Sequence, residues 1–209
     1  MHLFLSNFFF IYFMSLIASY SKFGNLKTYD IKQYVNIHSF LPDFNRLPTD
    51  TSINDRRYKK QNSMNVKIIN NLGQNKYKII KNPMNILNQE SLKKTLDLFI
   101  YLANIEHDNI INIKYQRIIC NEILVGLPSP NGWQSDNVNK TGILVLKREN
   151  IRGAINQFKL NDKILEQNLE NGHFTIFNNI EHNTTPITPI DNNREAFRDV
   201  IILNALSYQ

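Results

Sequence analysis

The sequence predicts an α+β protein that is mainly β, with a sandwich of strands in its C-terminal half. Three observations carry this. Leu92, Leu96, Phe99 and Ala103 recur at helical spacing and mark one helix of about four turns. Val66-Lys67-Ile68-Ile69 and Tyr77-Lys78-Ile79-Ile80 flank the turn-forming Asn70-Asn71-Leu72-Gly73-Gln74-Asn75, which reads as a hairpin. From residue 110 onward, segments rich in β-branched residues alternate with Pro and Gly punctuation. Strands that follow a helix in this way argue for a sandwich, of which the jelly roll is one form.

Taken in order, the chain starts with a nearly unbroken apolar and aromatic run, Leu3–Ala18. It is short for a membrane span. No Lys or Arg precedes it, and Ala18-Ser19-Tyr20 is a poor cleavage site. Signal, anchor and buried first helix all stand as readings of residues 1–20, with residues 21–209 expected as one domain. Residues 19–63 are polar and broken by Pro42 and Pro48, and are expected to wrap the core irregularly. Asn88 or Ser91 would cap the helix. Strands are expected in 110–126 (one long or two short), 142–147, 173–177 and 199–206, with 160–169 as a short helix or a loop.

At 209 residues and 42% hydrophobic content the chain can bury a real core. Its formal charge of +6 is dispersed apart from Arg56-Arg57-Tyr58-Lys59-Lys60. No nucleic-acid-binding motif accompanies that charge, so a solvated basic face is expected, with no nucleic-acid partner. Membrane association would run only through residues 3–18; the expected location is cytoplasmic, with a signal or anchor as the alternative. The single cysteine, Cys120, excludes an intramolecular disulfide and a cysteine zinc site, and its apolar setting predicts an inert buried thiol. No Ser hydrolase elbow, Walker loop or dinucleotide glycine pattern is present.

The chemistry-bearing stretches lie in the C-terminal half. They are Pro130-Asn131-Gly132-Trp133-Gln134-Ser135-Asp136, Arg148-Glu149-Asn150-Ile151-Arg152-Gly153, His182-Asn183-Thr184-Thr185-Pro186-Ile187 and Arg198-Asp199-Val200. In this order they resemble the iron and 2-oxoglutarate dioxygenases that hydroxylate free amino acids such as isoleucine. That family's pattern is Pro-x-Gly-x-His-x-Asp, Arg-Glu-Asn-Ile-x-Gly-Gly, His-x-x-Thr-Pro-Ile and Arg-Asp-Val. Leu47-Pro48-Thr49-Asp50 and Arg56-Arg57-Tyr58 are looser echoes. The resemblance implies a double-stranded β-helix (jelly roll, cupin-like) with N-terminal helical decoration. It also implies Fe(II), 2-oxoglutarate as cosubstrate, and a small-molecule substrate, an amino acid.

Carried over residue by residue, the resemblance makes Asp136 and His182 metal ligands and Arg198 the clamp on the distal carboxylate of 2-oxoglutarate. Two His and one carboxylate on one face of an ion leave its other positions open for cosubstrate and O₂. Gln134 stands where the family has its first His, as a weak third ligand or a spectator. A guanidinium suits a planar carboxylate because the two form paired, charge-assisted bonds. Taken alone, the same residues have plainer readings. Asp136 would be a polar turn residue, His182 a structural histidine, and Arg198 one half of an ion pair with Asp199. Arg194 is a backup for Arg198, and His173 is a substitute ligand to check. Further departures are Asn137 for a usual Gly and Arg152-Gly153-Ala154 for Gly-Gly-Glu. A family member without turnover, binding a small acid or a protein partner, is therefore the alternative, favoured by Gln134. A membrane-associated basic protein is a third reading, favoured only by Leu3–Ala18 and the charge.

Overall fold

Thirteen strands and little helix make up the described part of the chain, a computed structural model in which residues 19–50, 59–71, 74–81 and 89–206 are described. Strands β1 (Ser19–Phe23), β2 (Leu26–Asp30), β3 (Lys59–Asn71), β4 (Gln74–Lys81), β5 (Ile110–Cys120), β6 (Lys140–Glu149), β10 (His173–Phe177) and β13 (Ala196–Leu206) form an eight-stranded sheet. Its order is β1-β2-β10-β6-β13-β5-β3-β4. Strands β8 (Asn156–Leu160), β9 (Lys163–Gln167) and β11 (His182–Thr184) form a second sheet, ordered β11-β8-β9. The short strands β7 (Ile151–Gly153) and β12 (Ile187–Pro189) pair alone. The small sheets face the large one, as in a double-stranded β-helix, and the architecture expected from the sequence is the one observed.

Alternation sorts the two faces of the large sheet. Ile111, Ile113 and Tyr115 of β5 point with Ile201, Leu203 and Ala205 of β13 into the larger core. That core is closed by a 3₁₀ turn at Ile37–Phe40, by α1 (Leu41–Asn45) and by α2 (Gln89–Ala103). All four stripe residues of α2 are buried there, each large one contributing about 1.5–3 kcal/mol by leaving water. Gly142 lets α2 come close, because a Cβ there would lie 2.9 Å from the rings of Phe99 and Phe174. The opposite face carries Val145 and Val200, which pack with Phe158 and Phe177 between the sheets.

The β3–β4 hairpin, α2 and the C-terminal strands form where expected; the hairpin's turn residues 72 and 73 lie outside the described residues. Three expectations are corrected. Residues 19–30 form a hairpin rather than an irregular wrap, turning at Gly24 with φ of 56°. Residues 160–169 are neither helix nor open loop. They hold the turn and second strand of the β8–β9 hairpin, and Asn161 and Asp162 supply the two positive φ values, 47° and 62°, that a tight turn of this hand needs. Ser91 does not cap α2: it lies inside the helix, where its hydroxyl accepts from Ser39 at 2.8 Å and so docks the 3₁₀ turn. Asn88, Leu3–Ala18 and Arg56-Arg57-Tyr58 lie outside the described residues. Among the described residues no helix is long and apolar enough to cross a membrane.

Candidate metal centre

Gln134 sits opposite His182 in a two-way backbone bridge, each N–H donating to the other's carbonyl at 2.9 Å. The other edge of His182 pairs with Phe158 of β8, so the histidine backbone is fixed on both sides. Its ring is buried, with the Phe177 ring edge-on at 4.8 Å. Nδ1 lies 3.0 Å from the Ile180 carbonyl, which accepts its proton and leaves the Nε2 lone pair facing outward.

Around that lone pair two further donors gather. Gln134 Nε2 is 3.3 Å from His182 Nε2, and Asp136 Oδ2 is 3.8 Å from it. Two donors each about 2.1 Å from one ion stand about 3 Å apart at a right angle; the 3.3 Å spacing is close to that, and the 3.8 Å spacing would have to close by several tenths of an ångström around a cation. A half-turn of the Gln134 amide exchanges its nitrogen for Oε1, the atom of that side chain able to donate to a metal. Thr141 Oγ1 donates to Asp136 Oδ2 at 3.1 Å and sets the carboxylate's angle. Among the described residues no cluster of three His, Cys, Asp or Glu converges anywhere. The third side chain beside His182 and Asp136 is the Gln134 amide.

These residues head a cavity of about 310 Å³ between the sheets. Arg198 lines the same cavity and is only 4% exposed. Its Nη2 donates to Asn156 Oδ1 at 3.2 Å, and its buried Nε has no hydrogen-bond partner among the described residues. Burial, with the neighbouring Arg148 adding repulsion, pushes its pKa from 12.5 down to about 9. A cation so placed lacks the carboxylate that burial ordinarily demands. The ion pair with Asp199 does not form. Adjacent residues on a strand face opposite ways, and Asp199 lies across the sheet, held by Arg117 at 2.7 Å.

The remaining candidates lie elsewhere. Arg194 pairs with Glu149 at 3.2 Å on the surface. His173 is outside the cavity lining; its Nδ1 accepts from the Glu170 backbone at 3.1 Å, so among the described residues no substitute imidazole reaches the site. Trp133 stacks under Lys159, whose ammonium is 4.6 Å from the ring. Burial pushes the Cys120 thiol up to about 11, in keeping with an inert role.

Asn156 and Thr141 escaped the sequence reading because nothing in their spacing marks them, and Thr184 was visible only as part of the His182 motif. Thr184 Oγ1 donates to Asn156 Oδ1 at 3.1 Å, which links the His182 strand to the arginine. Arg148-Glu149-Asn150 was visible as a motif, and its residues brace the loops around the site. Arg148 donates to the Gly153 and Ala154 carbonyls at 2.8 and 3.3 Å. Asn150, at a φ of 51°, ties its amide to Asp191 and Arg194. Gly153 is required, since at its φ of 85° a Cβ would meet the Pro186 carbonyl at 2.0 Å.

Several solved structures share this architecture. The crystal structure of IDO from Bacillus thuringiensis superposes with a TM-score of 0.68 at 13% identity, covering 88% of this chain and 94% of that one. A bsmA homolog from Methylobium petroleophilum PM1 gives 0.61 at 20% identity, covering 81% and 80%. A prolyl-4-hydroxylase from Pseudomonas putida gives 0.54 at 9% identity, covering 88% and 94%. At such identities the likeness concerns the fold. No curated protein matches by sequence. The sequence profile of the 2OG-Fe dioxygenase family matches residues 76–204, which includes α2, strands β5 to β12, most of β4 and β13, and every candidate ligand. That span is more than half of the chain, and the protein belongs to the 2OG-Fe dioxygenase family.

Proposed function

We propose that this dioxygenase binds Fe(II) through Asp136 and His182 with Gln134 as a weak third donor, holds 2-oxoglutarate by Arg198, and hydroxylates a small substrate, a free amino acid. The observation that carries the reading is the meeting of two features in one cavity. A carboxylate, an imidazole and an amide converge at its head, and a buried arginine without a counter-ion lies in its wall.

Bound Fe(II) supplies the oxidising chemistry: O₂ and 2-oxoglutarate are consumed, succinate and CO₂ leave, and one oxygen enters a substrate C–H bond. The chain's own residues prepare that reaction. Arg198 neutralises the distal carboxylate of the cosubstrate, a charge pair whose worth rises in a dry setting. Asn156 keeps the guanidinium aimed. Ile180 fixes the His182 tautomer, and Thr141 orients Asp136. Ile143, Val200 and Ile202 give the cavity its apolar wall and exclude water beside the reacting centre.

The amino-acid substrate rests on the order of the motifs from Pro130 to Val200. The alternative, a member that binds a small acid or partner without turnover, rests on Gln134. An amide oxygen is a poorer donor than imidazole, and disturbing even the groups that orient metal ligands costs about 10–100-fold in affinity or activity. One experiment separates the two: anaerobic titration of Fe(II) and 2-oxoglutarate, then succinate release with mixtures of amino acids in air. Saturable binding with amino-acid-dependent succinate supports the enzyme. Binding with no succinate above background supports the member without turnover.

A further inference from the structure

The cavity has two unlike walls. Ile143, Val200 and Ile202 form the apolar one, on β6 and β13. Beside it on the same face of the same sheet, β3 and β5 contribute Lys59, Gln61, Lys114 and Gln116, with Lys114 opposite Ile202 and Gln116 opposite Val200. Register puts these four on one face: Gln61 is opposite Gln116, Lys114 is opposite Ser63, and Lys59 is opposite Ile118. Inner strands of a large sheet favour apolar residues facing a core. Two lysines and two glutamines there are a local conflict of the kind that marks a binding site.

The charges on the cavity wall can be counted. Lys59, Lys114 and Arg198 are cationic, and Asp50 and Asp136 are anionic. Lys59 lies 3.9 Å from Asp50, whose side chain is only 6% exposed. A divalent ion at Asp136 and a doubly charged 2-oxoglutarate on Arg198 cancel each other. The cavity then keeps one excess positive charge. Lys114 is the residue that carries it: among the described residues no ion pair or hydrogen bond engages its ammonium. Beside it, Gln61 Oε1 and Asn204 Oδ1 are buried acceptors without a hydrogen-bond partner among the described residues. Such groups are costly to bury until a donor arrives.

We propose that this polar wall, with Lys114 as its anchor, selects a substrate with net negative charge that also carries a hydrogen-bond donor, of which an acidic amino acid is the simplest. The assignment rests on the dioxygenase reading of the cavity and narrows its substrate. A carboxylate meets Lys114, the ammonium meets the orphaned amide oxygens, and the carbon chain lies along the apolar wall. A neutral aliphatic amino acid would leave Lys114 desolvated and unpaired.

The test uses the full chain, loaded anaerobically with Fe(II) and 2-oxoglutarate, and calorimetry with L-glutamate, L-aspartate, L-glutamine, L-asparagine and L-isoleucine. The wild type should bind at least one acidic amino acid about tenfold or more tighter than its amide and than isoleucine. Lys114→Met, close in volume, should erase that preference, with Lys114→Gln as a second variant should the first fail to fold. 2-Oxoglutarate affinity should stay within about threefold in either. A wild type that binds metal and 2-oxoglutarate but treats all five amino acids alike overturns the Lys114 assignment. Loss of 2-oxoglutarate affinity in the variants also overturns it, by moving Lys114 to the cosubstrate. A wild type that binds neither metal nor 2-oxoglutarate removes the dioxygenase reading beneath it.

Discussion

Arg117 and Arg198 lie on neighbouring strands, β5 and β13, at 6% and 4% exposure, and face opposite sides of one sheet. Arg117 is saturated. Its Nε and Nη2 each donate to the Asp199 carboxylate at 2.7 Å, Nη1 donates to Asn45 at 3.0 Å, and the Phe197 ring lies 4.3 Å from its Cζ. Burial raises the pKa of Asp199, and the two hydrogen-bonded contacts from Arg117 pull against that rise. Arg198 has one amide oxygen, one unpartnered nitrogen and a second arginine beside it. The chain itself supplies the anion on the helix-covered face. On the cavity face no described residue supplies one. Equal burial of the same residue type thus goes with unequal satisfaction by partners, and the binding role proposed for Arg198 rests on that difference.

The largest expected effect breaks the saturated side. Arg117→Leu strands a fully buried carboxylate and should cost about 3–5 kcal/mol in denaturant unfolding. Arg117→Leu combined with Asp199→Leu should recover most of that loss. A single variant within 1 kcal/mol of wild type, on the order of experimental scatter, would show that the pair is not what holds this end of the sheet.

Next comes the cavity side. Arg198→Leu should leave the cofactor-free protein as stable as wild type or more so, since it removes an uncompensated buried charge. It should weaken 2-oxoglutarate by about 2–5 kcal/mol, roughly 30-fold or more by calorimetry. An Arg198→Leu protein that unfolds would place Arg198 with Arg117 as a structural residue and end the contrast.

Gln134→His tests the amide at the head of the same cavity. Restoring an imidazole should tighten Fe(II) by at least about tenfold, or about 1.4 kcal/mol. Quenching of Trp133, the single tryptophan and the neighbour of Gln134, provides the readout. Succinate release should rise in parallel. Unchanged metal affinity and unchanged background turnover would favour the member without turnover.

The smallest effect sharpens the comparison most. Asn156→Asp gives Arg198 an internal carboxylate and so recreates the Arg117 arrangement on the other face. Replacing a neutral hydrogen bond by a charge-assisted one should stabilise the cofactor-free protein by about 1 kcal/mol in thermal or urea unfolding. 2-Oxoglutarate should bind more weakly, because its place on Arg198 is taken. Stabilisation without loss of 2-oxoglutarate affinity would place the cosubstrate elsewhere.

Much of the fold was legible in the sequence, because local rules write it. The stripe at Leu92, Leu96, Phe99 and Ala103 is a helix whatever it packs against, and β-branched alternation marks β5, β6, β10 and β13. The site's ligand candidates were legible too, through the ordered motifs that hold Gln134, Asp136, His182 and Arg198. Where local signals were weak the reading failed. Gly24-Asn25 and Asn161-Asp162 carry their hairpins in two residues, and short strands around them resemble loop or helix. What only the tertiary structure decided is which polar group meets which. Residues 198 and 199 are neighbours in sequence, yet strand alternation sends one to Asn156 and a cavity and the other to Arg117, 82 residues away. Lys114, Gln61 and Asn204 likewise become one wall only when β3, β5 and β13 pair in register. Partner choice across a sheet is set by register and by the sum of many weak packing terms, and a linear string of residues does not contain that sum in readable form.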